Sequence, residues 1–214
     1  MANAPLTATV RSSLLPHAKG EAEFDNLYSD AARYSAVQFW DERYASDPEP
    51  FEWYYGYDFF KDVIRENIPL DSKVLIAGCG SSNLPEDMVN DGYSDIVAAD
   101  FSRVALAQLK VRCKHLPEIT YSQGTLCDTD TPEDSYGGVV DKGLFDAICC
   151  GPANAIPQYV CEIERVLKTG SSFIIISHAN PEDRLPLLEQ YDIDEPYYTP
   201  WYIEVNAIRK FQIF

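Results

Sequence analysis

Between residues 73 and 177 the chain alternates short apolar runs with segments of helical period, and few folds accept that alternation. "KVLIAG" (73–78), "DIVAAD" (95–100) and "EITYSQG" (118–124) each read as a strand. The first two are almost continuously apolar, as strands covered on both faces must be. The intervening segments read as helices. Residues 83–91 end at Gly92. Ser102 can cap a helix in which Leu106, Leu109, Cys113 and Leu116 repeat, and Pro117 stops it. Residues 156–168 place Ile156, Tyr159, Val160, Ile163, Val166 and Leu167 on one side, and Gly170 then opens a fifth strand, "SSFIIIS". Strands joined through helices pair in parallel, so a three-layer α/β, Rossmann-like sandwich follows. The fourth strand is either "YGGVVD" (136–141) or "FDAICC" (145–150). Residues 181–190 suggest a further helix, and "PWYIEVNAIRKFQIF" (200–214) suggests two short strands, one of them antiparallel.

The front of the chain has a different character. Tyr28, Ala32, Ala36, Phe39, Trp40 and Tyr44 lie at helical spacing within 27–46. "SDPEP" (46–50) breaks that helix, and "FEWYYGYDFFKDVIRENI" (51–68) begins as an aromatic loop and becomes a second helix. Residues 1–20 hold Arg11, Lys19, several Ser and Thr, and no acid. They read as a flexible tail, with an organelle transit peptide the weaker alternative. The expected organisation is a tail over 1–26 and one domain over 27–214. That domain has a helical cap (27–70) and a Rossmann-like core (71–214). A chain of 214 residues suits one such core.

Charge narrows the partners. A net charge of −17 repels phosphate backbones, which argues against nucleic acid and for a basic protein partner. No stretch approaches the length of a membrane span. The six cysteines form no C-x-x-C pair and stand near no histidine at zinc spacing, so reduced thiols and no metal are expected, in a cytoplasmic protein.

In open α/β sheets a ligand sits beyond the carboxyl ends of the strands. Gly78 and Gly80 allow backbone to approach a ligand there. Asp100 ends the second strand, where a carboxylate accepts hydrogen bonds from ribose hydroxyls. Both features fit an adenosine cofactor. A dinucleotide fingerprint wants a third glycine where this chain has Asn83.

These residues, with "QFWDERY" (38–44), "FEWYYGY" (51–57), "VLIAGCGSSNL" (74–84), "GYSDIVAADFS" (92–102), "VVDKGLFDAI" (139–148) and "EIERVLKTGSSFIIIS" (162–177), resemble class I S-adenosylmethionine-dependent methyltransferases. The resemblance is strongest to the branch whose members modify lysines of translation elongation factor 1-alpha. It implies a seven-stranded, mostly parallel sheet with the last strand antiparallel. It implies "YGGVVD" as strand four, with "LFDAICC" beginning a helix. It also implies S-adenosyl-L-methionine as cofactor, lined by Trp40, Tyr44, Trp53, Gly78 and Gly80. Asp100 and Phe101 would hold the ribose and flank the adenine. Thr125 and Leu126 would contact the adenine edge, although relatives usually carry an acid at the first of these positions. Lys142 would lie at the cofactor as well.

The chemistry implied is in-line methyl transfer. Aromatic rings suit the sulfonium cation, and the enzyme's main work is alignment. A lysine acceptor must first lose its proton, since its free pKa is about 10.4, and a desolvating pocket favours the neutral amine. Asp141 is the candidate for orienting that amine, its other role being to cap the following turn. His115 closes a helix, and His178, just after strand five, could border the expected substrate cleft but more simply ends that strand. A methyltransferase for a small molecule and a silent S-adenosylmethionine-binding module remain as alternatives.

Overall fold

The central strands are apolar because helices cover both of their faces. The computed structural model describes residues 6–13, 31–188 and 201–208. Its strands are β1 (Leu6–Ser13), β2 (Lys73–Ala77), β3 (Asp95–Asp100), β4 (Ile119–Gln123), β5 (Tyr136–Lys142), β6 (Leu167–Ser177) and β7 (Trp201–Ile208). They form one sheet in the order β4-β3-β2-β5-β6-β1-β7. The five strands from β4 to β6 are a parallel Rossmann-like core. Ala77 stands between Ala99 of β3 and Asp141 of β5, which fixes the register at the strand tips. From β2 the chain builds outward to β3 and β4, then returns to the other side for β5 and β6. The switch point therefore lies between β2 and β5, and the crevice opens above it.

The helices are α1 (Val37–Ser46), α2 (Lys61–Asn67), α3 (Leu84–Asn90), α4 (Arg103–Arg112), α5 (Leu144–Ile148), α6 (Ala155–Val166) and α7 (Pro181–Leu188). Side chains alternate across each strand, so β2 feeds two cores. Val74 and Ile76 pack with Ile64 and Ile68 at the end of α2, Met88 of α3, and Leu106 and Leu109 of α4. Leu75 and Ala77 pack with Phe145 of α5, Tyr159, Ile163 and Val166 of α6, and Leu188 of α7. Ser102 caps α4 as expected, its hydroxyl accepting from Ala105 N at 3.1 Å.

The ambiguous fourth strand is Tyr136–Lys142, followed by helix Leu144–Ile148, as the family resemblance implied. Three expectations need correction. The cap helix is interrupted: a 3-10 turn (Ala31–Ser35) precedes α1, and Ala36 between them is extended. Residues 27–30 lie outside the described residues. Leu6–Ser13, inside the expected tail, is a strand. It pairs in parallel with both β6 and β7. The antiparallel last strand is not found among the described residues. Trp201–Ile208 runs parallel to β1, because an inserted N-terminal strand now lies between it and β6, and 209–214, the second half of the expected hairpin, lies outside the described residues.

Gly138 lets the end of α2 rest directly on β5, since a Cβ there would meet three atoms of the Ile68 side chain at 2.6–2.8 Å. Ile68 is itself fully buried and has little room to yield. Gly138→Val is expected to cost about 1–3 kcal/mol of stability by overpacking, read as a lower midpoint in urea unfolding.

Candidate cofactor and acceptor site

The loop after β2 is built by two glycines in conformations that side chains rarely adopt. Gly78 has φ +65° and Gly80 φ +51°. A Cβ on Gly78 would lie 2.7 Å from Leu144 Cβ, and one on Gly80 would lie 2.6 Å from Tyr44 Oη. The loop therefore threads between α5 on one side and the cap helix α1 on the other. Cys79 N donates to Ala99 O at 2.9 Å and ties it to β3.

Asp100, the last residue of β3, completes this turn. Its Oδ2 accepts from Gly80 N at 2.8 Å and its Oδ1 from Ser102 N at 2.8 Å. Each oxygen keeps a further lone pair for a ligand hydroxyl. Burial pushes its carboxyl up to about 6, against the lowering effect of the Ser102 and Gly80 amides. Gly124 N donates to Asp100 O at 3.1 Å, so the end of β4 is held beside it.

The roof is aromatic. Trp40 and Tyr44 are buried and stacked, with ring centroids 5.8 Å apart. Trp53 meets Trp40 edge-on at 6.0 Å, and Phe101 packs against the same group. The structure thus brings Trp40, Tyr44, Trp53, Gly78, Gly80, Asp100 and Phe101 together as expected from the sequence. Thr125 and Leu126 follow the tip of β4. Thr125 is exposed and its hydroxyl accepts from Cys127 N at 3.2 Å, while Leu126 packs toward the α6 side of the core.

Lys142 is held by a residue that sequence reasoning did not single out. Its ammonium, which burial pushes down, is paired with the Glu52 carboxylate, and it donates to Trp53 O at 3.3 Å. The same carboxylate accepts from Asn83 N at 2.5 Å and from Ser82 Oγ at 2.9 Å. Glu52 thereby occupies the start of α3, where a dinucleotide's pyrophosphate would have to sit. A carboxylate there repels phosphate and tolerates a phosphate-free nucleoside. The acid was in view within "FEWYYGY"; its destination was not.

Asp141 takes the second of the two roles the sequence allowed it, capping the turn that follows β5. It is fully buried and caps α5, accepting from Leu144 N at 2.8 Å, Phe145 N at 2.9 Å and Tyr159 Oη at 2.7 Å. Burial pushes its carboxyl up to about 7, although the Tyr159 hydroxyl opposes this. The reason is local: Gly143 turns the chain with φ +93°, and the unpaired amides opening α5 claim the nearest acid. The next buried acid is Asp146 of α5, one turn further on. Burial raises it, but hydrogen bonds from His178, Ser177 and Tyr54 outweigh that and hold it well below the usual carboxylate range.

The Rossmann-like sheet, the glycine loop, the buried carboxylate closing β3 and the aromatic roof fit a methyltransferase of the S-adenosylmethionine-dependent class. Residues 75–175 match the family model described as "Methyltransferase domain". The chain is 30% identical over 176 residues to "EEF1A lysine methyltransferase 4" of Bos taurus, covering 76% of this chain and 69% of that protein. The Mus musculus protein of the same name is 28% identical over 165 residues, covering 72% of this chain and 65% of its own length. "eEF1A lysine and N-terminal methyltransferase" of Homo sapiens is 31% identical over 161 residues, 72% of this chain but 23% of that protein. The chain belongs to this methyltransferase family, and S-adenosylmethionine is its cofactor. Among solved structures, the PH0226 protein of Pyrococcus horikoshii shares the fold, with a TM-score of 0.51 at 16% identity over 78% of this chain and 70% of that one.

These residues fit the cofactor. Asp100 would hold the ribose, Phe101 and the aromatic roof would flank the adenine and the sulfonium, and the glycine loop would pass beneath. When bound, the cofactor supplies an activated methyl group. Because the ribose hydroxyls donate to the ionised carboxylate, affinity for S-adenosylmethionine is expected to fall as pH drops through about 6, the value to which burial raises Asp100. Calorimetric titration between pH 5 and 8 checks this, and Asp100→Ala and Gly78→Arg should each abolish binding without unfolding the chain.

Proposed function

We propose that this protein transfers the methyl group of S-adenosylmethionine to a lysine side chain of a protein, with translation elongation factor 1-alpha the leading acceptor. The observation that carries this reading is the likeness to relatives named as lysine methyltransferases across about three quarters of the chain. Charge supports it: 34 acidic residues against 17 basic ones would draw in a basic surface. The roof of Trp40, Tyr44 and Trp53 supports it too, since these rings favour a cation near the transferring methyl. The cytoplasm is the compartment proposed, in keeping with six cysteines of which none is in a disulfide.

The reaction is written simply. The neutral amine nitrogen forms a bond to the methyl carbon as the carbon–sulfur bond breaks, and sulfur keeps the electron pair. Incubating the protein with a methyl-labelled cofactor and a cell lysate, then resolving the label by size, tests the assignment. Label is expected in a protein of the elongation factor's mass, on a lysine mapped by mass spectrometry. Label confined to small molecules would favour the small-molecule reading, and cofactor binding with no label at all would favour a silent module.

A further inference from the structure

Beyond the cofactor cradle, the tip of β6 carries a second group of polar side chains. Asp146 of α5 is its centre and is buried. Its Oδ1 accepts from Ser177 Oγ at 2.6 Å and from Arg184 Nη2 and Nε at 2.9 and 3.0 Å. Its Oδ2 accepts from Tyr54 Oη at 2.5 Å, from His178 N at 3.1 Å, and faces His178 Nδ1 at 3.0 Å. Tyr54 Oη also lies 3.3 Å from His178 Nδ1, and the two rings are 5.7 Å apart.

This arrangement selects one tautomer of His178. The tyrosine has a single proton, and the 2.5 Å contact gives it to Asp146 rather than to the imidazole. An ionised carboxylate at 3.0 Å would repel a lone pair on Nδ1. Nδ1 therefore carries the hydrogen and donates it to Asp146, which leaves the lone pair on Nε2. Among the described residues Nε2 makes no hydrogen bond, and the side chain is 43% exposed.

Two further observations mark the group as more than a structural clamp. Asp146 is already satisfied by Ser177, Arg184 and Tyr54, so its charge does not require an imidazole. Tyr54 has φ +67°, a strained conformation for a residue with a side chain, and it faces Gly143, where a Cβ would lie 3.4 Å from the tyrosine ring. Strain of this kind is retained where surrounding structure imposes it, and it concentrates at working sites. Location agrees. β6 is next to β5 and two strands from β2, so the His178 end of the sheet lies roughly 10 Å from the glycine loop at ordinary strand spacing. Both lie at the carboxyl ends of the strands, where ligands of open α/β sheets sit.

We propose that His178 takes the proton from the incoming acceptor amine, with Asp146 and Tyr54 as the residues that position it. The inference rests on the amine-acceptor reading above. The ammonium gives one proton to Nε2, the freed lone pair attacks the methyl carbon, and the exposed imidazolium releases the proton to water. The groups facing His178 are Tyr54 and Asp146, with Ser177 and Arg184 of α7 bonded to the same carboxylate. Of these, Asp146 and Arg184 carry the fixed charges, and they are paired with each other.

His178→Ala and His178→Gln are the variants to make, the second keeping a donor for Asp146 if the first proves unstable. Both should lower kcat by about 10²-fold or more, with cofactor affinity by calorimetry unchanged. The acid limb of the wild-type kcat profile should vanish in both, and free imidazole should restore part of the His178→Ala rate. Nitrogen-15 NMR of the imidazoles should show Nδ1 protonated and Nε2 bare near neutral pH. A rate close to wild type with the acid limb intact overturns the proposal, as does a hydrogen found on Nε2. The rates are compared on whichever fraction the wild type labels. Label on a small-molecule amine would remove the protein-lysine reading while leaving this comparison in force, and the NMR measurement needs no acceptor.

Discussion

The hydrogen bond from Gly80 N to Asp100 Oδ2 joins the two strand tips on which the site is built. It runs between residues twenty positions apart, and neither end can be moved freely. Gly80 has no room for a side chain beneath Tyr44, and Asp100 is buried with its other oxygen committed to Ser102 N. The carboxylate is thereby fixed in the plane of the crevice with one lone pair per oxygen to spare. Its burial makes it reluctant to ionise, against the pull of the two amides it accepts from.

The helical cap completes what the sheet begins. From one short loop, Glu52 enters the start of α3 and pairs with Lys142, Trp53 joins the roof, and Tyr54 reaches Asp146. Three consecutive residues thus reach three places: the start of α3, the aromatic roof and the Asp146 cluster. The cap is more than a hydrophobic lid. It fills the place where a dinucleotide's pyrophosphate would sit and holds a tyrosine in a strained conformation against Asp146.

Two neighbouring acids illustrate how environment divides labour. Asp141 and Asp146 are five residues apart, both buried, yet their carboxyls are pushed in opposite directions. Asp141 meets only neutral donors: two amides and a hydroxyl. Asp146 accepts from His178 and from the Ser177 and Tyr54 hydroxyls, and together these hydrogen bonds outweigh its burial.

The sequence alone determined the parallel core, because the strand and helix periods repeat within a few residues and depend on no distant partner. It also determined the glycine turn and the acid closing β3, since backbone freedom and strand-end position are local properties. The choice between "YGGVVD" and "FDAICC" as the fourth strand was not local, and resemblance to a family supplied it. Tertiary structure alone decided which acid caps α5 and which gathers Tyr54, His178 and Arg184, where Glu52 goes, and that Leu6–Ser13 enters the sheet. Each of those depends on a partner far along the chain: Tyr54 meets Asp146 across 92 residues and His178 across 124. A carboxylate's role is set by the donors that folding delivers to it, and sequence spacing carries no record of those.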